Sequence, residues 1–218
     1  MADVLLSDID GTLVDSNTLH AEAWRRAFEH FGIEVGMDEA WSQIGKGGDQ
    51  LIPVFVAEAD RDRLEAKIKE FRKEVFHRDY MPRIVSFGKA RELLMRVKKS
   101  GRRIVLATSS DKNDLAIYKR IVGMEDLVEE EATSADAQAS KPEPDIFAAA
   151  LKKADAEEAV ALGDTPYDAQ AAGALGIRVI GVTCGGWKRS DLLEAGCVEV
   201  YQDPADLLLR FEKSLLGK

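Results

Sequence analysis

The sequence predicts an α/β fold, a parallel sheet with helices on both faces, interrupted once by an all-helical insertion. Short apolar runs at residues 104–107, 159–162, 177–182 and 197–201 alternate with amphipathic stretches from about residue 83 onward. Strands buried on both faces read as continuous apolar runs, and their alternation with helices implies parallel strand–helix units. Residues 16–82 show helical periodicity only. The run at 4–7 precedes that block, and the expectation is that it joins the same sheet. The expected division is therefore a core of residues 1–15 and 83–218, with a helical cap domain over 16–82.

Each element follows in order. Val4, Leu5 and Leu6 open the first strand, which ends in Ser7-Asp8-Ile9-Asp10-Gly11-Thr12. Leu19, Ala23, Trp24, Ala27, Phe28 and Phe31 share a helical stripe, and Gly32 suits its C-terminal stop. Ile44-Gly45-Lys46-Gly47-Gly48-Asp49 reads as a glycine-rich turn carrying one lysine. Leu64, Ile68, Phe71 and Val75 mark a second long helix. A helix with Ala90, Leu93, Leu94 and Val97 stops at Ser100-Gly101, and the strand at 104–107 runs into Thr108-Ser109-Ser110. A helix with Leu115, Tyr118 and Ile121 follows, then a weak strand around Leu127-Val128. Ile146, Phe147, Ala150 and Leu151 mark a further helix, with Lys141-Pro142 at its start. The strand at 159–162 breaks at Gly163-Asp164.

Composition narrows the function. Thirty basic against 39 acidic residues give a formal net charge of −9. That balance speaks against general nucleic-acid binding, which needs a basic surface. No apolar run reaches membrane-spanning length, and the N-terminus lacks the pattern of a secretory signal. Cys184 and Cys197 read as unpaired thiols in a reducing cytoplasm rather than a disulfide or zinc site.

The chemistry gathers at strand ends. In an open parallel sheet, ligands bind beyond the carboxyl ends of the strands. Asp8 and Asp10 follow the first strand, Thr108 and Ser109 the second, Asp164 and Asp168 a later one, and Lys141 can reach the same edge. On a strand, residues i and i+2 point to one side, so Asp8 and Asp10 can share a site. Paired carboxylates there suit divalent-metal chemistry on a phosphate. Each group also has a plainer use. Asp8 and Asp10 can begin a turn, residues 108–111 can cap a helix, and Asp164-Thr165-Pro166 can start one. Lys141 and Lys46 can be solvated charges, and His20 can simply pack at the start of its helix. His30 and His77 carry no pattern that assigns a role.

These ordered motifs resemble the haloacid dehalogenase superfamily, in the subgroup with a helical cap after the first strand. Asp8-Ile9-Asp10-Gly11-Thr12, Thr108, Lys141 before Pro142, and Gly163-Asp164 with Asp168 all occur in the family's order. The chain is most similar to phosphoglycolate phosphatase-like enzymes and beta-phosphoglucomutases. The resemblance implies a Rossmann-like core and a phosphatase acting on a small phosphorylated metabolite, with a sugar phosphomutase as the alternative. It implies Asp8 as nucleophile and Asp10 as acid and then base, protonated when substrate arrives. Mg²⁺ would be held by Asp8, the Asp10 carbonyl, Asp164 and Asp168, the last directly or through water. Thr108 or a hydroxyl one position away, the Ser109 N–H and Lys141 would hold the phosphoryl group. His20, Lys46 and Gly47 would face the site from the cap and contact substrate.

Overall fold

A computed structural model of the chain describes residues 3–217. Six strands form one sheet: β1 (Val4–Ser7), β4 (Arg103–Ala107), β5 (Glu130–Ala132), β6 (Ala159–Gly163), β7 (Arg178–Val182) and β8 (Cys197–Tyr201). Their order is β5-β4-β1-β6-β7-β8, and every pairing is parallel. The first strand therefore sits in the middle, flanked by β4 and β6. Its residues divide between the two faces as the two-residue repeat demands. Leu5, Ile104, Leu106, Val160 and Leu162 enter one core, while Val4, Leu6, Val105 and Ala161 enter the other. Each fully buried Leu or Ile contributes roughly 1.5–3 kcal/mol.

Helices α5 (Ala90–Lys99), α6 (Lys112–Val122) and α10 (Pro204–Leu209) pack on the first face. Helices α7 (Asp145–Ala154), α8 (Pro166–Gly173) and α9 (Arg189–Glu194) pack on the second. Between β1 and α5 lies the helical stretch: α1 (Asn17–His30), α2 (Met37–Ser42), α3 (Gly48–Phe55) and α4 (Glu58–Val75), then a π-helical turn (Phe76–Tyr80) and a 3₁₀ turn (Met81–Arg83). It has its own small core of Ala21, Trp24, Ala27, Phe28, Leu51, Ile52 and Ile68. An antiparallel ribbon of β2 (Val14–Asp15) and β3 (Val85–Ser86) brackets it where the chain leaves and re-enters the sheet domain.

Three local expectations are corrected. Leu127-Val128 is not a strand, because Leu127 fills the core beside α5 and α6, and the edge strand β5 begins at Glu130. The turn at 44–49 is shorter than its glycines suggest, since Gly48 and Asp49 already belong to α3. Lys141 stands in a loop rather than at a helix start, as α7 begins at Asp145.

Candidate functional site

The central place of β1 sets the geometry. The chain beyond Ser7 lies between the ends of β4 and β6, so Asp8 comes between Thr108 and Asp164. Asp8, Asp164 and Asp168 are all buried, and one carboxylate oxygen from each lies within 4.8 Å of the others. Lys141, only 2% exposed, enters from the loop before α7. Its Nζ is 2.5 Å from Asp8 Oδ1 and 2.6 Å from Asp168 Oδ1. Asp164 is fixed by hydrogen bonds donated by Thr12 Oγ1 (2.8 Å) and Asn17 Nδ2 (2.7 Å). Asp168 sits in the first turn of α8, where its Oδ2 accepts the Thr165 N–H and hydroxyl in a capping box. Gly11, at φ +75°, admits this approach, since a Cβ there would lie 2.3 Å from both Asn17 Nδ2 and Asp164 Oδ2.

One lysine does not neutralise three carboxylates. Burial, joined by the charges of Asp168 and Asp10, outweighs Lys141 and pushes Asp8 up to about 7. Burial and the Asp168 and Asp8 charges push Asp164 well above the carboxylate range. Burial alone would lower Lys141, but Asp168 and Asp8 hold it above the ordinary lysine value. A donor set of hard oxygens with surplus negative charge fits a divalent cation such as Mg²⁺.

Asp10 faces elsewhere. The strand stops at Ser7 and Asp10 lies in a tight turn bridged to Val14, so the same-side rule for a strand does not govern the pair. Asp10 Oδ1 accepts from Ser16 Oγ (2.7 Å) and His20 Nε2 (2.8 Å), and Oδ2 accepts from Ser110 Oγ (2.9 Å). Arg72 donates to His20 Nδ1. Because a guanidinium only donates, Nδ1 must accept and the ring proton sits on Nε2, aimed at Asp10. Burial and the Arg72 charge keep this imidazole neutral by lowering His20 against the pull of Asp10. Burial would raise Asp10, but His20 and the hydrogen bonds from His20, Ser16 and Ser110 hold it well below the usual range. The expectation of a protonated Asp10 is therefore corrected for the ligand-free protein, where Asp10 is an ionised base.

On the β4 side, buried Thr108 accepts the Ser110 N–H at 3.1 Å. The helix cap of α6 is Asp111, which accepts from Asn113 N and Asp114 N. Thr108 and Ser109 are thus left facing the cavity.

The inserted helices close over this edge. Tyr167 OH donates to Ser42 O (2.7 Å), Trp41 packs on Trp187 at 5.1 Å, and Asp49 Oδ2 accepts the Ser140 N–H. Across the opening, Lys73 pairs with Asp111 and His77 with Asp114, each at 2.6 Å. Between the two layers lies a cavity of about 240 Å³. Asp8, Asp10, His20, Lys46, Gly47, Thr108, Ser109 and Lys141 all line it. Asp164 and Asp168 do not, lying buried against Asp8 and Lys141. Lys46 Nζ donates to Gln43 Oε1 at 2.6 Å and lies 4.9 Å over the Tyr167 ring. Sequence reasoning missed Asn17, Ser110 and Arg72. Ser110 adjoins a residue already singled out, whereas Arg72 looks like one more charge on a charged helix.

Among the described residues no helix is long and apolar enough to cross a membrane. The chain matches the profile of the haloacid dehalogenase-like hydrolases over residues 5–182. It is 26% identical to the phosphorylated carbohydrates phosphatase of Thermotoga maritima, covering 94% of this chain and 96% of that protein. It is 30% identical to the glyceraldehyde 3-phosphate phosphatase of Pyrococcus abyssi, over 77% of this chain and 75% of the relative. The crystal structure of a hydrolase from Pseudomonas syringae superposes with a TM-score of 0.84 at 28% identity, over 98% of this chain and 99% of that one. With a six-stranded parallel sheet, acids at the ends of β1 and β6, and a family match running from β1 to β7, the chain belongs to the haloacid dehalogenase-like hydrolases.

Proposed function

We propose that this hydrolase is a Mg²⁺-dependent phosphatase that cleaves a small phosphorylated metabolite through a phosphoryl-aspartate on Asp8. The observation that carries the reading is the contact of Lys141 Nζ with Asp8 Oδ1 at 2.5 Å, beside Asp164 and Asp168. It places a charge-matched carboxylate at the cavity floor, where a phosphoryl group can meet it. The names of the Thermotoga and Pyrococcus relatives support phosphate esters as the substrate class.

Asp8 attacks phosphorus with a carboxylate oxygen, forming a new P–O bond as the ester P–O bond breaks. The departing oxygen takes a proton from Asp10. Water then gives its proton back to Asp10 while its oxygen bonds to phosphorus, and the bond to Asp8 breaks to release phosphate. Thr108, Ser109 and Lys141 hold the phosphoryl oxygens throughout. Phosphoryl transfer depends chiefly on such positioning and charge stabilisation. Mg²⁺, held by Asp8, Asp164, Asp168 and the Asp10 carbonyl, would neutralise phosphoryl charge.

The ionised Asp10 of the free protein is set for the second half of this cycle. An incoming phosphate dianion raises the pKa of a carboxylate beside it, which restores the acid needed for the first half. The helices over the cavity serve as a cap that keeps bulk water away from the phosphoryl-aspartate. Both cysteines are free thiols, in keeping with a cytoplasmic enzyme.

The deciding experiment is phosphate release from a panel of phosphorylated metabolites with Mg²⁺, using Asp8→Asn as the blank. Release by the native chain and none by the blank is expected. No release from any ester, or equal release by the blank, overturns the reading. Isomerisation of a sugar 1-phosphate without release would replace it with the phosphomutase alternative.

A further inference from the structure

The charges around the cavity do not pair off. Lys141 is matched by Asp8 and Asp168, Lys73 by Asp111, and Asp114 by His77. Asp10 is matched by hydrogen bonds from Ser16, His20 and Ser110. Two cations that line the cavity remain, Lys46 and Arg72. Among the described residues neither has a carboxylate within ion-pair distance. Lys46 is steadied only by neutral groups, the Gln43 amide and the Tyr167 ring. Arg72 lies against the Phe76 ring at 4.6 Å and the Trp24 ring at 5.3 Å, and its one hydrogen bond goes to neutral His20.

Arg72 Nε is buried with no hydrogen-bond partner. Leaving a buried donor unpaired costs free energy, and a guanidinium cannot escape that cost by losing its proton. Burial lowers both Lys46 and Arg72, so each gains by meeting negative charge. The nearby carboxylate of Asp49 does not supply it, because it is turned to the Ser140 N–H. Trp24 ties the two cations into one wall. It packs beneath Arg72 on one side and abuts Gly48 on the other, two residues from Lys46.

We propose that this wall is a subsite for a second anionic group, so that the substrate is a short phosphate ester carrying an additional carboxylate or phosphate, held by Arg72 and Lys46. The proposal rests on the phosphatase reading above and deepens it. The spacing limits the substrate's length. Only the His20 ring separates Arg72 from Asp10, and the ester oxygen must lie at Asp10. The cavity of about 240 Å³ leaves room for a short carbon spacer between the two anions. Arg72 thus has two contacts to make, one ordering His20 and one on the substrate. Its fork of N–H donors allows both.

The test compares esters that share a three-carbon spacer: 3-phosphoglycerate and propane-1,3-diyl bisphosphate against glycerol 3-phosphate, whose tail is neutral. A charge-assisted hydrogen bond corresponds to roughly a 10–100-fold preference in kcat/KM for the anionic tails. Lys46→Met and Arg72→Gln are each expected to cut that preference about tenfold. The ratio between substrates is read because Arg72 also touches His20, so effects on Asp10 cancel. Melting curves of both variants establish that they fold, and Arg72→Lys should recover part of the preference by restoring charge without the fork. Glycerol 3-phosphate turned over as efficiently as the anionic esters, or a preference that survives both substitutions, overturns the subsite and leaves the phosphatase reading standing. Failure to hydrolyse any of the three with Mg²⁺, while other monoesters are cleaved, overturns the subsite alone. Failure with every monoester overturns both.

Discussion

The two walls of the cavity differ in how they manage charge. Along the sheet edge, Asp8, Lys141, Asp164 and Asp168 are almost wholly buried, and each is held by groups from separate parts of the chain. Across the opening, Lys46 and Arg72 are half-buried, steadied by aromatic rings and neutral dipoles, and lack any carboxylate partner among the described residues. The buried wall is over-determined, so its geometry persists with or without a ligand. The other wall is under-determined and its charges await a partner. A reaction shared by many substrates suits the first arrangement, and a choice among substrates suits the second.

The largest expected contrast comes from Asp8→Asn. It removes the nucleophile while keeping shape, so turnover should fall by about 10⁴-fold or more, as for other nucleophile deletions. The fold should remain, because the change also relieves repulsion with Asp164 and Asp168. Phosphate release and a thermal melt on the same sample check this. A variant that keeps its activity, or one that loses activity only by unfolding, breaks the contrast between walls.

Lys141→Met attacks the buried wall through its stability. Leaving Asp8, Asp164 and Asp168 with no cation should cost about 3–5 kcal/mol in metal-free buffer, the range for a broken buried ion pair. Mg²⁺ should restore part of that loss by binding the same oxygens. Urea titrations with Mg²⁺ and with a chelator measure both effects. A variant as stable as the native chain in chelator would mean that the three acids are not charged together.

Tyr167→Phe tests the seam between the walls, since it removes only the hydroxyl that donates to Ser42 O. The net worth of one such bond predicts a rise in KM of roughly 2–10-fold, with a smaller change in kcat. A fall in kcat alone would instead place Tyr167 in the chemistry.

The same contrast explains what the sequence made legible. Buried strands must be apolar and must end where polarity begins, so Asp8, Thr108 and Asp164 stand out against the runs before them. Edge strand β5 has no such constraint, and Glu130-Glu131 hides it while buried Leu127 draws attention to the wrong residues. Short helices α2 and α3 read as turn because glycines surround them. Arg72 and Ser110 were invisible as functional groups because their roles depend on partners 52 and 100 residues away. The ionised state of Asp10 was misread for the same reason, as it depends on three donors that only the folded chain brings together.

The smallest expected effect bears on solvent access to the two halves of the molecule. Cys197 lies on β8 in the core behind Asp168, and burial, with a contribution from the Asp168 charge, pushes its thiol up to about 12. The thiolate is the reactive form, so Cys197 should resist alkylation at pH 8. Its neutral thiol contributes stability that is whole below the unfolded thiol value near pH 8.5 and is lost as pH climbs toward 12. Val54 on α3 is 50% exposed, and Val54→Cys would place an ordinary thiol on the helical side. Its alkylation should accelerate from pH 7 and level off above pH 9, as expected for a group titrating near 8.5. Cys197 should react only as fast as the protein unfolds, with no plateau in that window. Mass spectrometry of the two alkylated sites over this pH range separates them. Equal rates at both positions would mean that the sheet half opens as readily as the helices above it. The contrast in rigidity between the two walls would then fail, even with their contrast in charge intact.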